Sequence, residues 1–310
     1  MCGNRLRLLT ASLALAAAAF GGCATNSPAY RGQQTFRSPD AAAAALSDAA
    51  ARGDAGAMEF ILGAEAESVL SSGDPVADAR DRAVFVAAMD QGWSTNRIDS
   101  RTRELVVGDE QWPFPIPLAR DARGWWFDTA AGREEVLARR IGRNELAAIG
   151  TLQTYVVAQL EYASVGRDGR PAGVFAQRIR SDAGMHNGLF WPSDRANPSP
   201  LGELAAQAAA EGYTRSESGA PSPYRGYYFR ILTRQGPSAP GGVMDYVVGG
   251  DMTGGFAMLA FPADYGNSGI MSFLVGPDGV IYEADLGKDT STAAAAVQSF
   301  DPDDRWSVVQ

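Results

Sequence analysis

Histidine, cysteine and lysine are nearly missing from this chain: its 310 residues hold one His, two Cys and, at Lys288, a single lysine. A lone histidine, His186 in the loop Gly184-Met185-His186-Asn187-Gly188, excludes a multi-His metal centre, and no cysteine stands near it to complete a zinc site. Cys2 and Cys23 both fall in the first 23 residues, so the body has no thiols to pair and must be held by packing instead of disulfides. No Gly-x-Ser-x-Gly elbow is present, and Gly241-Gly242 and Gly249-Gly250 lead into β-like sequence, not into the helix N-terminus that a phosphate cradle needs. Asp168-Gly169 and Asp278-Gly279 lack the alternating oxygens of a calcium loop and read as turns. No catalytic residue, metal or cofactor is therefore expected. After residue 23 no apolar run reaches the roughly 20 residues that span a bilayer.

The N-terminus is the richest part. Arg5 and Arg7 precede an apolar stretch from Leu8 to Phe20, which closes on Phe20-Gly21-Gly22-Cys23, the layout of a lipoprotein signal peptide. About 13 apolar residues are too few to span, so residues 1–23 read as a cleaved signal and Cys23 as a lipidation site. Ala24 follows Cys23 where an inner-membrane retention signal would place Asp, which points to the periplasmic side of the outer membrane, reached through the N-terminal lipid. The formal charge of −9 becomes about −11 once Arg5 and Arg7 are removed, which argues against nucleic-acid partners.

Residues 24–35 are small and polar and read as a tether. Ser38-Pro39-Asp40 supplies a cap, a first-turn proline and an early acid for a helix ending at Gly53; a second should run from Ala55 to Leu62, and a third from Val76 to Asp90 with Val84, Phe85 and Ala88 inward. Short β-like runs follow at Arg97–Asp99, Arg103–Val107, Phe114–Leu118 and Trp125–Asp128. Pro113, Pro115 and Pro117 each lack a ladder donor, so Trp112–Leu118 should be an edge or a crossing segment. From Arg133 to about Ala163 the stripe Leu137, Ile141, Ile149, Leu152, Val156, Leu160 predicts one long helix or two collinear ones. After a helix at Leu201–Glu211, strands are expected at Gly226–Thr233, Met244–Val248, Phe256–Phe261, Ile270–Val275 and Val280–Ala284, the last two joined by the hairpin turn Gly276-Pro277-Asp278-Gly279. The expected class is α+β in two domains: residues 36–132, N-terminal helices with a curled antiparallel sheet, and residues 133–310, a long helix packed on an antiparallel sheet.

Chemistry-bearing side chains cluster weakly. Glu135, Arg139 and Arg143 follow one another at i, i+4 and can pair along a helix face or form a contact surface. Aromatic groups around Trp112, Trp126 and Trp191 serve cores and contact surfaces alike. Trp112, Trp126, Asp128, Arg139, Arg143 and Trp191 are thus the candidate pocket or contact residues.

Several strings, in order, resemble the bacterial domain-of-unknown-function 2950 family: Ser72-Gly73-Asp74-Pro75-Val76, Asp109 through Leu118, Trp126 through Glu135, Arg139-Arg140-Ile141-Gly142-Arg143-Asn144-Glu145-Leu146 and Gly226-Tyr227-Tyr228-Phe229-Arg230. The resemblance runs from about Gln34 to the C-terminus and implies an exported protein with no known activity. The order of the helix at Asn144–Tyr162, the string Gly226–Phe229 and the segment Ser268 to Ile281 is similar to type IV pilin-like heads, while the helix order of the first half and its Trp126-Phe127-Asp128 string resemble cystatin-like cones. The expected role is an envelope module that binds or scaffolds a protein partner. The alternative is a small-molecule binder or enzyme using the first domain's cone, with Asp128 or Asp99 as a buried carboxylate of raised pKa.

Overall fold

The computed structural model describes residues 32–192, 197–211, 213 and 222–309, and Cys23 lies outside them. The fold is α+β, built on two hydrophobic cores threaded by one helix.

The first core begins with caps legible in the sequence. Ser38 accepts a hydrogen bond from the Ala41 N–H at 3.1 Å and starts α1 (Pro39–Ala51), and Asp54 does the same for α2 (Ala55–Leu62) from the Ala57 N–H at 3.0 Å. A short α3 (Ala66–Leu70), not anticipated, precedes α4 (Pro75–Gln91), which Asp74 caps. These helices cover one face of a sheet made of β1 (Trp93–Arg97), β2 (Thr102–Val107), β3 (Trp112–Pro113), β4 (Leu118–Asp121) and β5 (Gly124–Phe127), in the order β1-β2-β4-β5 with β3 on β2. Leu46, Ile61, Met89, Leu105, Leu118, Trp125 and Phe127 are buried between the layers. Phe85 and Ala88 face the core as expected, joined by Val86 and Met89, whereas Val84, expected beside them, points to solvent. The proline-rich segment contributes only the two-residue edge β3 and then crosses as an extended strap, because alternate residues cannot donate. The end of the expected tether belongs to the fold: Gln33 Nε2 donates to the carbonyls of Ile61 and Phe127, both at 2.9 Å, and Phe36 exchanges backbone hydrogen bonds with Trp125.

Asp128, expected as the last residue of a strand, is the cap of α5 (Thr129–Ala163), which begins four residues before the anticipated start and runs unbroken for 35 residues. Its C-terminal half lies on the second core. There α6 (Gly202–Ala210), β6 (Tyr227–Leu232), β7 (Arg234–Gln235), β8 (Met244–Asp245), β9 (Val247–Val248), β10 (Asp251–Met252), β11 (Ala257–Pro262), β12 (Met271–Val275), β13 (Ile281–Asp285), α7 (Thr290–Ala296) and β14 (Ser307–Val308) follow. The main sheet is antiparallel in the order β14-β13-β12-β11-β6, and the Gly276–Gly279 turn sets the β12–β13 register with Val275 opposite Ile281. The stretch Met244–Val248, expected as one strand, is split between two small ladders, β7·β8 and β9·β10. Ala148, Leu152 and Tyr155 of α5 pack onto Phe256, Leu259, Phe273 and Leu274. Leu160, which the periodicity placed on this side, is exposed; Tyr155, Gln159 and Tyr162 occupy the inward positions.

Candidate functional site

The most elaborately bonded place among the described residues is the junction where α5 passes from one core to the other. From residue 140 onward the buried residues of α5 fall at 140, 144, 148, 152, 155, 158, 159, 162 and 163, a single stripe whose first two members are polar. Arg140 donates to the carbonyls of Ser68 at 3.2 Å, Val69 at 2.6 Å and Ser71 at 3.3 Å, all in the first unit, and to Asn267 Oδ1 in the second. Burial lowers its pKa, an effect opposed in part by Asp78 and Asp81, yet a guanidinium stays protonated. One turn on, Asn144 Nδ2 donates to the Ser268 carbonyl at 2.9 Å, and Glu145 Oε1 accepts from the N–H groups of Ile270 at 3.1 Å and Met271 at 3.0 Å. Asn267 Nδ2 reaches back to the Ser71 carbonyl at 3.1 Å.

Asp74 closes the opposite side. Its Oδ1 accepts from Val76 N at 3.2 Å and Ala77 N at 3.1 Å, capping α4, while Oδ2 accepts from Tyr213 Oη at 2.7 Å and Gly226 N at 3.0 Å across the junction. A buried carboxylate with four donors at a helix N-terminus is fully satisfied. Burial, and then the bond to Asp74, raise the pKa of the Tyr213 phenol, so it serves as a donor. Gly226 has φ +79°, and a Cβ there would lie 2.6 Å from Asn144 Nδ2, so only glycine lets β6 begin beside α5. Glu211 is gripped by Arg225 and approached by Arg80 at 3.7 Å, adding a further tie between units.

The residues singled out from the sequence are dispersed. Arg139 and Trp112 meet, the guanidinium lying 5.1 Å from the indole centroid, while Arg139 also bonds Glu135 at 2.6 Å and the Pro113 carbonyl at 3.1 Å. This cluster fastens the proline strap to α5, where a Cβ on Gly132 would lie 2.6 Å from the Pro115 carbonyl oxygen. Arg143, one turn further, pairs with Asp81 at 2.6 Å. Trp126 is buried on the opposite face of the first sheet beside Ala119, its Nε1 without a partner. Asp128 is buried and capping Ala131 N at 3.3 Å; desolvation raises its pKa, and that single hydrogen bond opposes the rise. Asp99 is exposed, and the Arg101 backbone N–H lowers its pKa, so it is not the buried, raised carboxylate expected as an alternative. Trp191 lies at the far end of α5, with Arg167 at 5.0 Å and His186 at 4.7 Å from its ring.

Two concavities stand out among the described residues. One, of about 460 Å³, lies between the end of α1 and α4 around Arg52, Arg82 and Asp90; the other, of about 420 Å³, opens at the junction between Glu65, Ser68, Gly73 and Asp264. Neither contains Trp126, Asp128 or the proline strap. No group of three His, Cys, Asp or Glu able to hold a metal occurs among the described residues. Arg140 and Asn144 are not among the candidate residues of the sequence, which marks their neighbours Arg139 and Arg143. The signal that marks them is position: both continue the buried stripe of Ala148, Leu152 and Tyr155 toward the N-terminus at i, i+4.

Fold and junction together define a two-core α+β protein whose most developed polar chemistry is spent on joining its own halves. The chain belongs to the family described as a protein of unknown function, DUF2950, whose model matches residues 33–309. No curated protein and no solved structure matches it. Three of the strings that carry the family resemblance, Ser72–Val76, Arg139–Leu146 and Gly226–Arg230, converge on the junction.

Proposed function

We propose that this protein is a lipid-tethered, non-enzymatic envelope module, anchored through Cys23 on the periplasmic side of the outer membrane, that binds or scaffolds a protein partner. The observation that carries the reading is the outer face of α5. While the inner face is bonded to both units, Leu146, Val157 and Leu160 stand 71%, 64% and 53% exposed along the other. Large apolar side chains aligned on one rigid, accessible face are the usual mark of a contact surface. The junction supports the same role, because a guanidinium and a carboxylate, each buried and multiply bonded across two cores, hold both at a constant relative position, which a scaffold requires and a solvent-exposed linker would not provide.

The test is a photoreactive side chain placed at exposed Gln153 of the full chain in living cells, with Asp303 as a control position. A discrete cross-linked product at 153 and none at 303 is the expected outcome; equal labelling at both, or none, refutes the contact reading. The address is checked separately. Cys23→Ala should abolish palmitate labelling and release the protein into the soluble envelope fraction, and retention of both would remove the lipoprotein assignment.

A further inference from the structure

The exposed positions of α5 follow a rule of their own. On one side of the outer face, exposed Leu146, half-buried Gly150, exposed Gln153, Val157 and Leu160, and the capping Ser164 succeed one another at steps of four, three, four, three and four residues, the spacing of a coiled-coil seam. None is needed by the cores: Leu146, Val157 and Leu160 are exposed, and a Cβ on Gly150 would meet nothing within 4 Å.

This stripe is nearly its own mirror about Gln153. Leu146 lies seven residues before it and Leu160 seven after; Gly150 lies three before and Val157 four after; Gly142 and Ser164, both small, lie eleven to either side. At about 1.5 Å rise per residue, an antiparallel copy centred on Gln153 sets Leu146 opposite Leu160 at both ends and seats Val157 over the open space at Gly150. The charges at the edge follow. Arg143 and Glu161 share one flank of the stripe, and the two-fold axis brings Arg143 of one copy within about 3 Å along the axis of Glu161 of the other. A parallel arrangement would instead turn the flank that carries Arg143 and Glu161 to opposite sides of the seam in the two copies, so that the two could not pair. Arg143 is steadied at that edge by Asp81, at 2.6 Å.

We infer that the partner of the outer face of α5 is a second copy of this chain, paired antiparallel about a two-fold axis at Gln153. The inference rests on the contact reading above and names its partner. The seam is self-complementary in size and in charge, as an isologous interface requires. A shared membrane anchor would raise the local concentration of copies and favour the pairing.

Cysteine trapping reads the register directly. In the full-length chain carrying Cys2→Ser and Cys23→Ser, Gln153→Cys should form a covalent dimer of doubled mass on mild oxidation. Leu146→Cys should not cross-link to itself, since its two copies would stand about 21 Å apart along the axis. A mixture of Leu146→Cys and Leu160→Cys chains should cross-link. Leu160→Glu, at a position outside the core, should abolish the non-covalent dimer on a sizing column with light scattering while leaving the circular dichroism spectrum unchanged. A chain that stays monomeric when concentrated, or that cross-links through position 146 alone, overturns the inference. A photo-cross-link from Gln153 to a different protein would overturn it too while leaving the contact reading intact; no product at all would remove both.

Discussion

Replacing Arg140 with Leu keeps a bulky apolar stem in the junction and removes the one group that bonds both units. Four acceptors lose their donor: the carbonyls of Ser68, Val69 and Ser71 and the Asn267 side chain. Ser71 keeps a hydrogen bond from Asn267 Nδ2, and water can enter beside Ser68 and Asn267 from the adjoining cleft, so Val69 carries the largest share of the loss and the other three acceptors smaller ones. An acceptor left without its donor costs about 1–3 kcal/mol, and the relief of no longer burying a guanidinium offsets part of the total, which leaves about 2–4 kcal/mol. Against the 5–15 kcal/mol of an ordinary domain, that is enough to separate the two halves. The assay is urea unfolding followed by two probes. Fluorescence is weighted to the first unit by Trp93, Trp112, Trp125 and Trp126, with Trp191 and Trp306 in the second, whereas far-ultraviolet circular dichroism reports α5 and both sheets. The two transitions should coincide in the parent chain and diverge in Arg140→Leu. Arg140→Lys should fall between, since an ammonium on a flexible stem cannot fork to carbonyls on both sides. Coincident transitions in Arg140→Leu, with a loss below about 1 kcal/mol, would refute the claim that this residue couples the units.

Two further outcomes follow from the same structure. Leu152 is fully buried against the second sheet, so Leu152→Ala should cost about 2–5 kcal/mol and expose the chain beyond about residue 150 to proteolysis, leaving a resistant fragment that contains α1 to β5; simultaneous digestion of both halves would mean a single cooperative unit. Asp128 has its pKa raised by burial, so the folded state binds the proton more tightly than the unfolded chain and stability falls as pH rises from about 3.8 through the folded value; Asp128→Asn retains a capping oxygen, should flatten that slope and should be at least as stable at neutral pH, whereas an unchanged slope in the calorimetric pH profile would show that the carboxylate is not the titrating group.

Much of this protein was legible in its order of residues because the relevant forces act over a few positions. Ser38-Pro39 and Asp74-Pro75 open helices wherever they stand, since the cap bond reaches only two or three residues. Gly276-Pro277-Asp278-Gly279 makes the β12–β13 hairpin for the same reason, and the alternating prolines keep Trp112–Leu118 out of the centre of a sheet. The α+β class and the family resemblance also came from local strings. Periodicity, by contrast, marks that a helix has faces without saying what each face meets. Leu160 and Val84 satisfy an apolar pattern and are exposed; Arg140 and Asn144 look like surface residues and are buried. Only the packed chain decides this, because α5 changes neighbours along its length: near residue 140 it faces carbonyls from the loop around Ser71 and a turn at Asn267, which reward a guanidinium, and a turn or two later it faces the flat apolar sheet of β11 and β12, which rewards Leu152 and Tyr155. Arg140 and Asn267, separated by 127 positions, acquire their roles from each other, and no local spacing records that encounter.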